Sequence, residues 1–114
     1  MSVHNLSMKG EILELVAART KTVEVRVGDS RIRKVQPDDA IVFESRAQWA
    51  KVRVLAVRRY SSFEHMLRFE DPERILPGKG GDLLLGVLRE MMGDKDRRLM
   101  VYVFDIELIG ARKQ

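Results

Sequence analysis

Apolar and polar positions change period several times along this chain, and each change marks an element. Ile12, Leu13, Leu15 and Val16 recur at the i, i+1, i+3, i+4 spacing of one buried helical stripe. The pattern predicts a helix over about 9–18, with Ser7 placed to cap it. From Thr20 to Val27 the period drops to two. Val23, Val25 and Val27 share a face with Lys21, while Thr22, Glu24 and Arg26 occupy the other, as in a half-buried strand. Gly28-Asp29-Ser30 breaks that strand, and Pro37-Asp38-Asp39 forms a turn into the apolar run Ala40–Phe43.

A further strand is expected over 51–60, with Val52, Val54 and Ala56 on one face and Lys51, Arg53, Leu55 and Val57 on the other. Ser61-Ser62-Phe63-Glu64 has the form of a capping box opening a short helix that Asp71-Pro72 ends. Pro77-Gly78 marks a turn, and Asp82 is placed to cap a helix carrying Leu84, Leu85, Leu88 and Met91 before Gly93 stops it. From Leu99 to Leu108 the chain is apolar on both faces, the mark of a central strand. The order strand, helix, strand, strand, strand, two helices, strand lacks the alternation of a doubly wound sheet. It fits an α+β fold, a small mixed barrel or curled sheet with flanking helices.

Length and composition narrow this further. With 114 residues, 45% hydrophobic and 33% charged, the chain is sized for one domain over 1–114 with a largely aliphatic core. Zero cysteines exclude a disulfide scaffold, a thiolate metal site and a cysteine nucleophile, and fit a reducing, cytoplasmic setting. No run approaches the roughly 18 apolar residues of a membrane span, so no membrane partner is expected. The 21 basic residues exceed the 17 acidic ones, for a formal charge of +4 and a pI near 9.7. Basic residues cluster at 31–34, 51–59, 95–98 and 112–113, so a polyanion-binding face depends on their convergence in space.

Motifs of common enzymes are missing. His4 and His65 have no companion at ligand spacing, and Arg98 stands where a calcium loop beginning at Asp94 needs an oxygen ligand, so no metal is expected. Gly78-Lys79-Gly80-Gly81 lacks phosphate-loop spacing and reads as a linker. The unusual segment is Arg19–Arg26, which gathers Lys21, Glu24 and Arg26 at a helix–strand junction. Pattern alone favours an amphipathic strand with a surface ion pair over a site.

Lys21-Thr22-Val23-Glu24-Val25-Arg26 resembles the Lys-x-x-Glu-x-Arg signature of the ASCH domain family, within the PUA-like superfamily of small β-barrels associated with RNA. The similarity extends to the helix ending in Arg19, the run Val35–Phe43, Arg59–Glu64, Leu76-Pro77-Gly78 and the apolar last strand, as in small stand-alone prokaryotic members. Two positions where the family usually carries glycine are Arg19 and Asp38 here.

The resemblance implies a PUA-like mixed β-barrel with a cleft floored by the signature strand. It also implies an RNA or nucleotide ligand, with Lys21, Arg26 and Arg53 on phosphate and Tyr60 stacking on an unpaired base. No cofactor is implied. The alternative is a metal-independent hydrolase. One branch of the family resembles an acetylcytidine amidohydrolase whose signature lysine works with a threonine three residues later; Lys21 matches, but Glu24 occupies the threonine position and would have to serve as the base. Another branch cleaves RNA, and Lys21 and Arg26 would there stabilise charge on phosphorus.

Overall fold

The computed structural model describes residues 1–112; of the basic pair at 112–113, Lys113 lies outside them. In chain order the elements are strand β1 (Val3–Ser7), helix α1 (Gly10–Ala17), strand β2 (Val23–Val27), a single 3-10 turn (Ile32–Lys34), and strands β3 (Ala40–Ser45) and β4 (Gln48–Tyr60). Short helices α2 (Phe63–Met66) and α3 (Pro72–Ile75), the longer α4 (Gly81–Met92), a final turn α5 (Asp96–Leu99) and strand β5 (Val101–Arg112) follow. The strands form one mixed sheet in the order β1-β3-β4-β5-β2, with β1 parallel to β3 and the rest antiparallel. The sheet curls into a half-barrel flanked by helices, the expected α+β architecture.

Curling is built into the β4–β5 pair. Their register skips Ile109 of β5 between Lys51 and Val52, and Leu55 of β4 between Val54 and Ala56, and such bulges bend a long strand. The second shift also resets the alternation. Val57, which strict period two places opposite Val52 and Val54, packs with them against the inner core. That core holds Leu6, Leu13, Val16, Ile41, Phe43, Val52, Val54 and Phe104. Each buried side chain of this size contributes about 1.5–3 kcal/mol relative to exposure.

A second apolar cluster covers the outer face, where Val23, Val25, Val101 and Val103 meet Phe63, Met66, Ile75, Leu84 and Leu88. β2 therefore sends its valines to the helices, while Glu24 and Arg26 are paired across the strands with the inner-core residues Phe104 and Tyr102.

Several local details differ from the pattern-based expectations. Ser7 lies in β1, and Lys9 is the N-cap residue of α1 without a side-chain bond. The α2 cap is Ser62, whose hydroxyl accepts from the His65 amide at 3.0 Å, and Glu64 instead takes two hydrogen bonds from Arg89. α4 starts at Gly81, with Asp82 inside its first turn. Asp39, expected only in a turn, ties three segments together by accepting from the Ser2 and Gln36 amides at 3.0 Å and pairing with His4 Nε2 at 2.9 Å. No helix among the described residues is long and apolar enough to cross a membrane.

Candidate functional site

The site begins with the way α1 hands the chain to β2. The amides of Thr20 and Lys21 both donate to the Leu15 carbonyl at 3.1 Å, and Arg19 adopts a φ of 65°. This turn aims the Lys21 side chain inward, where it is 4% exposed. Its Nζ lies 2.6 Å from the carbonyl oxygens of both Val23 and Ile75 and 3.0 Å from Glu24 Oε1. An ammonium has three protons, and here each has an acceptor.

Glu24, 5% exposed, takes its second partner through Oε2, which accepts from Arg26 Nε at 2.7 Å. Burial pushes the Glu24 carboxyl up, and the charges of Lys21 and Arg26 together with their hydrogen bonds more than offset this, holding it below the ordinary carboxylate range. Arg26 Nη2 donates to the Ser7 carbonyl at 2.9 Å, and its guanidinium lies 5.7 Å from the Phe43 ring centroid. Because β1 and β2 stand at opposite ends of the sheet order, this one side chain bridges the open seam of the half-barrel. Among the described residues no acceptor meets Arg26 Nη1.

Along the seam runs a cleft of about 440 Å³. Lys21, Glu24 and Arg26 line it on the strand side; Met8, Lys9 and Ile12 on the α1 side; Leu84, Val87, Leu88, Met91 and Met92 on the α4 side. The volume falls in the range of small-molecule sites, and a mostly apolar wall with a few fixed polar groups is their usual composition. The arrangement presents fixed charge and hydrogen-bond geometry: Lys21 Nζ is aimed at the Val23 and Ile75 carbonyls and at Glu24. Among the described residues no cluster of three His, Asp or Glu side chains could hold a metal ion.

Of the residues singled out in the sequence, the structure brings Lys21, Glu24 and Arg26 together and leaves Arg53 and Tyr60 elsewhere. Arg53 is exposed on β4 between the buried Val52 and Val54, its guanidinium 3.9 Å from Asp38. Tyr60 donates its hydroxyl to Glu70, stacks on Phe69 at 6.1 Å and meets His65 edge-on at 5.5 Å. Glu70 and Asp105 both chelate Arg58 with bonds of 2.6–2.8 Å, so that network is internally satisfied.

Pattern reasoning missed Lys9 and the α4 wall. Lys9 carries no sequence signal beyond its charge. α4 does: Leu83, Leu84, Leu85, Val87, Leu88, Met91 and Met92 are more apolar residues than one buried face needs, and Met91 remains 45% exposed at the cleft.

Comparison with known proteins concerns the fold and the family. The hypothetical protein PH0355 of Pyrococcus, known from a crystal structure, is similar at 33% identity and a TM-score of 0.85, covering 96% of this chain and 100% of its own. Protein PF0455 from Pyrococcus furiosus, known from a solution structure, is similar at 35% identity and a TM-score of 0.76, covering 94% and 97%. No curated protein matches the sequence. The ASCH domain model matches residues 6–109, a span that includes the whole Lys21–Glu24–Arg26 seam, and the chain belongs to the ASCH domain family.

Proposed function

We propose that the chain, 1–114 acting as one domain, binds RNA or a nucleotide in the seam cleft. The observation that carries this reading is the joining of an apolar α4 wall to the charged strand side in one cleft of nucleotide-compatible size. An unpaired base would lie against Ile12, Leu88 and Met91. Phosphate would meet Arg26 through Nη1 and Lys9, which is exposed and has no ion-pair partner among the described residues. Glu24 and Arg26 hold each other in orientation, and Lys21 fixes Glu24 from beneath. Arg53 and Tyr60 enter this reading only where an RNA is long enough to leave the cleft.

The test is binding of a labelled single-stranded oligoribonucleotide across a salt series. Phosphate contacts release counterions, so affinity should fall with salt, and Arg26→Gln should weaken binding and reduce the salt slope by about one. Absence of binding at low salt would overturn the assignment. Turnover of acetylcytidine, or of the oligoribonucleotide in chelator, that vanishes in a Lys21→Ala protein still folded by circular dichroism would move it to hydrolysis.

A further inference from the structure

β2 is an edge strand, and its register with β5 determines which backbone groups face the seam. The Ile106 amide donates to the Thr22 carbonyl and the Gly28 amide to the Met100 carbonyl, both at 3.0 Å, and the register between them is unbroken. In an antiparallel pair the hydrogen-bonded positions alternate. Residues 22, 24, 26 and 28 thus face β5 with their backbone groups, and Val23, Val25 and Val27 turn theirs to the open edge. The Val23 carbonyl is taken by Lys21 Nζ and the Val27 carbonyl by the Asp29 amide. Neither the amide nor the carbonyl of Val25 has a partner among the described residues. Of the three valines, Val25 alone lines the cleft.

Val25 is 4% exposed as a residue, and a donor and acceptor with no protein partner there are costly to leave unpaired unless something in the cleft meets them; this pair sits where the cleft passes from the inner-face residues Glu24 and Arg26 to the outer-face residues Leu84 and Leu88. We propose that the Val25 main chain reads the Watson–Crick edge of one unpaired nucleobase. Each base presents a donor beside an acceptor on that edge, matching the amide and carbonyl of one extended residue. Addition of a peptide strand fits less well. Strand pairing uses alternate residues in series, and the carbonyls on either side of Val25 are already occupied. The inference rests on the nucleotide reading above and adds that the bound base must be free of pairing.

Titration of the 15N-labelled full chain with the four nucleoside monophosphates, each beside an analogue methylated on its Watson–Crick edge, tests this. For UMP the analogue is N3-methyl-UMP, with 5-methyl-UMP as a control of equal bulk. The expected result is a shifted and exchange-protected Val25 amide with UMP, about tenfold or greater loss with N3-methyl-UMP, and little change with 5-methyl-UMP. Equal affinity for UMP and N3-methyl-UMP would overturn the Val25 contact while leaving nucleotide binding intact. If no monophosphate and no single-stranded RNA binds, nucleotide binding itself falls. Protection of the Val25 amide that rises with protein concentration alone would assign the edge to a strand of a second copy and also overturn the proposal.

Discussion

Lys21 Nζ and Glu24 Oε1 lie 3.0 Å apart between residues that are 4% and 5% exposed, so the signature lysine and glutamate form a buried ion pair. The same ammonium ties the end of α3 to the edge of β2 through the Ile75 and Val23 carbonyls. Truncating it leaves two carbonyls and Glu24 Oε1 without their donor, with only Arg26 still on the carboxylate, and breaking a buried pair from one side costs roughly 3–5 kcal/mol. Lys21→Ala is expected to lower stability by about that amount. Lys21→Arg should not restore it, because a planar guanidinium cannot aim three donors at the positions a tetrahedral ammonium serves. Denaturant melts of both variants check this.

Arg26 is 21% exposed in its side chain and Glu24 7%, so the two halves of that pair should respond unequally. Arg26→Gln is expected to cost about 1–2 kcal/mol, because Glu24 keeps Lys21. Glu24→Gln leaves two cations facing each other and should cost more. Thermal melts of the two variants side by side give the order.

Arg19, exposed, and Asp38 both hold positive φ, 65° and 74°. These are the two positions where the family resemblance expects glycine. The left-handed region costs a non-glycine residue about 1–2 kcal/mol, part of which glycine's greater unfolded freedom cancels. Arg19→Gly is therefore expected to stabilise the chain by about 0.5–1 kcal/mol, read as a rise in Tm of a few degrees. An unchanged or lower Tm would mean that the Arg19 side chain compensates its backbone.

Asp39 gives the fold an acid limit. Its carboxyl is lowered from 3.8 to about 2, chiefly by the Ser2 amide and then by His4, against an upward push from burial. A folded value below the unfolded one means that the stabilisation is complete above pH 4 and disappears as pH falls towards 2. Asp39→Asn should lose on the order of 1–2 kcal/mol at neutral pH and show a shallower decline than the parent between pH 4 and 2. Stability measured against pH for the two proteins checks both parts.

The strand periods were legible because β2 and the Val101–Asp105 half of β5 that pairs with it alternate without interruption, and the face shared by Glu24 and Arg26 followed directly. The bulge at Leu55 was not, since a register shift leaves no mark in a run that is apolar on either side of it. Lys21 was recognisable as a site residue from the resemblance, yet its burial was not. Period two carried back from Val23 places it with the valines, whereas β2 begins only at Val23 and the turn at Arg19 sends the side chain to Glu24 and to Ile75, 54 residues away. Long-range contacts of that kind, like the Arg26 bridge to Ser7, depend on the closure of the half-barrel and have no local sequence signature.

The central claim, that the seam between β1 and β2 is the ligand site, is tested most directly by mapping a short single-stranded RNA onto the backbone amides of the full chain at low salt. The account predicts perturbations concentrated at Lys9, Val25, Arg26, Leu88 and Met91 that fade as salt is raised. Perturbations confined to the surface around Arg53, or to Tyr60 and Phe69, with the seam silent, would contradict it.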